Sequence, residues 1–169
     1  MPPRGSLVLV DTVAIKAAHV LGCWNALRKA YQLESVEKCL DEVTRVDRVG
    51  RQLVMRKASE IRAEIGIHAV SDAQRATLLL TGGPRPDLDE GERDLLAHAL
   101  SLGRKAWWLC GPDKATLKML YRLNLLERMV SLERMGREVG HRFAALEEQY
   151  TEAWLKAKRT KLLLGEEWI

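Results

Sequence analysis

The stretch Leu7-Val-Leu-Val-Asp11-Thr12 sets the reading of the whole chain. Four consecutive apolar residues that stop at an acid fit a strand buried on both faces, as in a parallel sheet. Downstream, residues 67–70, 106–110 and the short pair Met129-Val130 read as further strands. Helical patterns separate these pieces. One runs through about Arg48, with breaks near Gly22 and around Gln32, and a second carries Leu53, Val54, Ala58, Ile61 and Ile65 until Gly66 ends it. Ser71 or Asp72 caps a third, which stops at Gly82-Gly83. Past the loop Thr81-Gly-Gly-Pro-Arg-Pro-Asp87 a fourth helix covers 88–102, and Gly111-Pro112-Asp113 opens a fifth. From His141, the residues Phe143, Leu146, Tyr150, Trp154 and Ala157 recur at helical spacing and predict a final helix. Strands alternating with helices predict an α/β sandwich of three layers, with a mostly parallel central sheet and a C-terminal helical extension.

The chain has 169 residues, close to the roughly 150 of one ordinary domain. Its 47% apolar and 30% charged residues exclude disordered and collagen-like classes. No run approaches the ~18 consecutive apolar residues of a membrane span. The short apolar run after the first residues ends at Asp11, unlike a secretory signal. Cys23, Cys39 and Cys110 are odd in number and unpaired in spacing, so reduced, buried thiols and a cytoplasmic location are expected. A net charge of +4 makes phosphate a natural partner. One phenylalanine and three tyrosines argue against a base-stacking platform.

Two of the expected strands deliver an aspartate at or just past their C-terminal ends, Asp11 and Asp113. In open parallel sheets that edge is where ligands bind. Read singly, each is also a helix cap. In the 88–102 helix, Leu88, Leu95, Leu96 and Ala99 define an apolar stripe, and Glu92 falls inside it while Glu90, Arg93 and Asp94 point away. A lone carboxylate facing a core is costly and needs a partner. Along Val36, Cys39, Leu40, Val43 and Val46, Glu42 sits at the margin of the stripe and Asp41 well off it, so a solvated flank is the alternative for Glu42. Four carboxylates converging on one sheet edge repel each other unless a cation intervenes. Oxygen-only ligands select a hard divalent ion such as Mg²⁺ or Mn²⁺.

At these residues the chain resembles the PIN domain family of small metal-dependent nucleases, many of them toxin ribonucleases paired with an antitoxin. The matching pieces are Leu7-Val-Leu-Val-Asp11-Thr12, Val36-Glu-Lys-Cys-Leu-Asp-Glu42-Val43, Leu88-Asp-Glu-Gly-Glu92-Arg-Asp-Leu-Leu-Ala97 and Trp108-Leu-Cys-Gly-Pro-Asp113-Lys114. The resemblance implies a nuclease domain over about 5–140, with 141–169 as an amphipathic helix and tail outside it. It implies that Asp11, Glu42, Glu92 and Asp113 form an acidic site that is both catalytic and metal-binding, with Asp89 as an outer helper. It also implies Mg²⁺ or Mn²⁺ as cofactor, RNA rather than DNA as substrate, an antitoxin protein or a second copy as partner, and no membrane. Val13 stands where many members carry Ser or Asn, and Gly111-Pro112 where a hydroxyl or acid is common. A non-hydrolytic module of the same fold, binding nucleic acid or protein, is the alternative; a purely structural domain whose acids are caps is the third.

Other residues carry blander readings. His19, His68, His98 and His141 have no metal-ligand spacing and read as surface or hydrogen-bonded core residues. Trp107 and Trp108 are expected on opposite faces of one strand. The basic cluster from Lys156 to Lys161 reads as a solvated helix end, with phosphate contact as the alternative. There is no phosphate-binding glycine loop. Asp11-Thr-Val lacks the second acid of a haloacid-type phosphatase.

Overall fold

The computed structural model describes residues 2–44, 57–83, 87–103 and 105–166. Four parallel strands, β1 (Leu7–Val10), β2 (Gln32–Val36), β3 (Gly66–His68) and β4 (Trp107–Cys110), lie in the order β3-β2-β1-β4. Between β1 and β2 run α1 (Thr12–Val20) and α2 (Trp24–Ala30); α3 (Glu37–Thr44) and α4 (Ala58–Glu64) lie between β2 and β3. The helices α5 (Asp72–Gly82) and α6 (Glu90–Ser101) lead to β4. Beyond it come α7 (Lys114–Arg122), α8 (Leu132–Glu138) and α9 (Glu152–Leu163). The expected three-layer α/β sandwich with a parallel sheet is what the chain forms.

Alternation along the strands builds two cores. Val8, Val10 and Leu33 pack with Ile15, Leu27, Leu40, Ile61 and Met135 on one face. Leu9, Val36, Trp107 and Leu109 pack with Leu95, Leu96, Leu117, Leu120 and Trp154 on the other. The two central-to-edge strands β1 and β4 are therefore covered on both sides, which is why they are apolar throughout. Trp107 and Trp108 do divide between the faces, and the three cysteines are buried and free.

Several expected boundaries move. The helical pattern through Arg48 hides β2. Leu33, Val36 and Leu40 stand three and four apart, a helical spacing, because a five-residue strand runs straight into α3. Pairing with β1 and β3 overrides that local period. Of the segment carrying Leu53 to Ile65, Ala58–Glu64 is helical; Leu53 and Val54, like Val46, lie outside the described residues. Met129-Val130 is not the fourth strand of the sheet. It makes one isolated parallel bridge to Leu109, with the Val130 N–H donating to the Leu109 carbonyl at 2.8 Å.

The last helix starts at Glu152 rather than His141, because Thr151 Oγ1 accepts the Trp154 N–H at 3.1 Å and fixes the helix start there. Phe143 and Leu146 precede it on irregular backbone, and Tyr150 sits in a 3-10 turn, Glu148–Tyr150. All three nonetheless pack against the first core, while Trp154, Leu155 and Leu162 enter the second. Among the described residues, no helix is long and apolar enough to cross a membrane.

Candidate metal centre

The strand order places a reversal between β1 and β4. From β1 the chain winds outward through β2 to β3, then returns to the far side of β1 as β4. In open parallel sheets such a reversal, at the carboxyl ends of β1 and β4, is the usual ligand site. Asp11 follows β1 directly, and Asp113 follows β4 after Gly111-Pro112.

Each acid is held by its own element. Asp11 caps α1, its Oδ1 accepting the Ala14 N–H at 2.6 Å. Asp113 caps α7, its Oδ1 accepting the N–H groups of Ala115 at 2.6 Å and Thr116 at 3.0 Å. Asp89 and Glu92 form a reciprocal capping box on α6: Asp89 Oδ1 takes the Glu92 N–H at 2.7 Å, and Glu92 Oε2 takes the Asp89 N–H at 3.1 Å. Glu42 is no cap. It is half-buried on α3, and Thr12 Oγ1 donates to its Oε2 at 2.7 Å. Two glycines let the elements close in. A Cβ on Gly91 would stand 3.1 Å from Glu42 Oε1, and one on Gly111 would stand 2.7 Å from Asp11 Oδ2.

The cap reading is therefore true of three of these acids, yet it does not account for their electrostatics. A carboxylate at a helix N-terminus, hydrogen-bonded to amides, should titrate low. Burial instead pushes Asp11 from 3.8 to about 7, against the Ala14 hydrogen bond, with Asp113, Asp89 and Glu42 adding repulsion. Burial also lifts Glu92 to about 8, helped by the charges of Asp113 and Asp89. These shifts show that Asp11, Glu42, Asp89, Glu92 and Asp113 share one field. Among the described residues, no Lys or Arg forms an ion pair with Asp11, Glu42, Glu92 or Asp113. The oxygen-only donor set and the unrelieved charge fit a hard divalent ion. Among the described residues no three of these carboxylates bring ligand atoms within 4.8 Å of one another.

Asp94 corrects the reading of α6. Expected to point away from the core, it is only 2% exposed. Arg75 of α5 reaches it with two bonds, Nε to Oδ1 at 2.8 Å and Nη2 to Oδ2 at 2.7 Å. Burial alone would raise its carboxyl, but Arg75 holds it below the ordinary value. The helix thus has two buried sides, toward the sheet and toward α5, where the stripe marked only one.

His68 and His98 meet Glu34, from three separate elements, in a cluster no linear spacing signals. The thiols, by contrast, hold no nucleophile. Burial pushes Cys23 to about 11 and Cys39 to about 12, far from a thiolate at neutral pH. The chain matches no model of a known protein family and is not significantly similar to any curated protein.

Proposed function

We propose that this chain is a metal-dependent nuclease that hydrolyses phosphodiester bonds, with RNA as the substrate. The observation that carries the reading is the pair Asp11 and Asp113 at the reversal between β1 and β4, with helix-borne Glu42 and Glu92 near them and, among the described residues, no Lys or Arg ion-paired with any of the four. The resemblance of the four acid motifs to PIN nucleases supports RNA over DNA. Three buried, free thiols support a reducing compartment, the cytoplasm.

Asp11, Glu42, Glu92 and Asp113 would hold the ion, Mg²⁺ or Mn²⁺. When bound, it supplies an activated water and neutralises charge developing on the scissile phosphate. The chain's own part is pre-organisation. Thr12 fixes the Glu42 carboxylate, the Asp89 amide fixes Glu92, and the α1 and α7 amides fix Asp11 and Asp113. Lys16 on α1 and Lys114 at the start of α7 are the cations nearest in sequence to the two capping aspartates, and they serve as phosphate positioners.

Incubation with a fluorescent RNA of mixed sequence tests the reading directly. Cleavage should require Mn²⁺ or Mg²⁺, stop with a chelator, and vanish in Asp11→Asn and Asp113→Asn. Salt-sensitive RNA binding with no cleavage under any divalent ion would favour a non-hydrolytic binding module instead.

A further inference from the structure

A second cluster of metal-ligating side chains lies on the α6 face of the sheet, away from the strand ends that carry the acids. Glu34 comes from the middle of β2, His68 from the end of β3 and His98 from α6. Glu34 Oε2 stands 2.9 Å from His68 Nε2 and 3.5 Å from His98 Nε2. All three ligand atoms lie within 4.8 Å of one another, and among the described residues no other three His, Cys, Asp or Glu do so. We propose that Glu34, His68 and His98 form a three-ligand site for a divalent transition-metal ion, best matched by Zn²⁺.

Geometry and donor type both point that way. Zn²⁺ bonds of about 2.0–2.1 Å at tetrahedral angles put neighbouring donors about 3.3 Å apart, between the two separations seen here. Two imidazoles and one carboxylate select a borderline metal over Mg²⁺ or Ca²⁺, and three protein ligands leave the fourth position to water. The short Glu34–His68 contact is not a hydrogen bond. His68 Nε2 is buried and lacks a hydrogen-bond partner among the described residues, although Glu34 Oε2 stands 2.9 Å away. Glu34 is oriented from behind, its Oε1 accepting the Gln32 side-chain N–H at 3.3 Å, which leaves Oε2 facing both rings. Gly66 opens the space. A Cβ there would stand 3.0 Å from Glu34 Cγ and 3.3 Å from His68 Nε2.

The two histidines have different tasks. The His98 side chain is 7% exposed, and burial, then the neighbouring His68, keeps it below the ordinary histidine pKa, in the neutral form a metal needs. His68 is 40% exposed and faces a cleft of about 570 Å³. The rings are stacked, with centroids 4.3 Å apart and planes at 19°. In-plane lone pairs of stacked rings run side by side and cannot converge on one ion. The donor spacing is thus in place but the ring orientation is not, and capture requires the half-buried His68 ring to turn out of the stack while His98 stays fixed.

Titration of the full, tag-free chain with Zn²⁺ alone, by calorimetry and by histidine NMR, tests this site separately from the acidic one. One equivalent should bind, shifting the imidazole resonances of His68 and His98 together. His68→Ala and Glu34→Gln, both at half-buried positions, should each weaken binding at least about tenfold. Asp11→Asn/Asp113→Asn should leave it unchanged. Equal Zn²⁺ affinity in His68→Ala and wild type overturns the proposal, as does binding lost only in the aspartate variant, or no binding at all.

Discussion

Thr12 and Glu42 are joined by a 2.7 Å hydrogen bond from Oγ1 to Oε2, which ties the start of α1 to the third helix across the mouth of the sheet. Thr12 also lies 3.3 Å from the Cys39 carbonyl, and it is buried. The hydroxyl at position 12 thus does for Glu42 what helix amides do for the other acids. Thr12→Val keeps the shape and removes the donor. It should cost about 1 kcal/mol of stability and weaken Mn²⁺ binding several-fold, read by thermal melts and calorimetric titration. Unchanged Mn²⁺ affinity would separate Glu42 from the metal site.

The metal-free protein should lose stability as pH rises through the neutral range. Asp11 titrates near 3.8 when unfolded and about 7 when folded, so the folded state holds its proton longer. Below pH 4 both states are protonated and no cost arises. Between about 4 and 7 the folded state is progressively penalised, on the order of a few kcal/mol in total. Asp11→Asn retains a good helix cap and should flatten this fall, as should saturating Mn²⁺ in the wild type. Melting temperatures across pH 4 to 8 decide it; a metal-free curve for wild type that matches Asp11→Asn would sink the idea.

How much of this was legible follows from the range of each signal. The places of Asp11, directly after the β1 run, and of Asp113, three residues past the β4 run, were readable because a short apolar run marks a strand and its C-terminal edge. The partial burial of Glu92 was readable from one helix's periodicity. Asp94 was not, since its partner Arg75 sits on another helix and makes a second face of α6 buried. The strand β2 was not, because a short strand joined directly to a helix shows the helix's own spacing. The trio Glu34, His68 and His98 was hidden for a related reason: sheet register and helix docking bring it together across 64 residues of sequence.

Gly111 keeps the Asp11 carboxylate in place by having no side chain. A Cβ there would fall 2.7 Å from Asp11 Oδ2 and 3.0 Å from Cγ, closer than real contacts allow. Gly111→Ala must therefore displace Asp11, costing roughly 1–3 kcal/mol as an overpacked site and abolishing Mn²⁺ binding. Gly91→Ala meets Glu42 and Cys39 at a looser 3.1–3.2 Å. There the better helix propensity of alanine, up to about 1 kcal/mol, offsets much of the strain. Melts of the two variants should differ in that order.

Arg75→Met should be among the more damaging changes far from the acids. It leaves Asp94, almost wholly buried, with only the 3.5 Å contact to Arg93. The cost should be roughly 1–3 kcal/mol for a buried acceptor stripped of its main partner. Asp94→Asn in the same background should recover part of it, because the uncompensated charge is gone. If the double variant is no more stable than Arg75→Met, the charge was not the source of the loss.

Glu92→Gln separates a metal ligand from a structural cap with unusual clarity. Glutamine serves in a capping box as well as glutamate, so the Asp89 amide keeps its partner and α6 keeps its start. The substitution removes only the charge. In the folded protein Glu92 titrates near 8, driven up by burial and then by Asp113 and Asp89. A raised folded pKa means stability that is present at low pH and lost as pH climbs through 8. At pH 4, below the unfolded value of 4.5, wild type and Glu92→Gln should therefore melt together without metal. At pH 9 the variant should melt higher, because the wild type then carries a buried charge among like charges. Mg²⁺ reverses the order. By mass action it stabilises the wild type, whose carboxylate binds it, and gives the variant little or nothing. A variant less stable at every pH that keeps the full Mg²⁺ response would remove Glu92 from the site and leave it a cap alone.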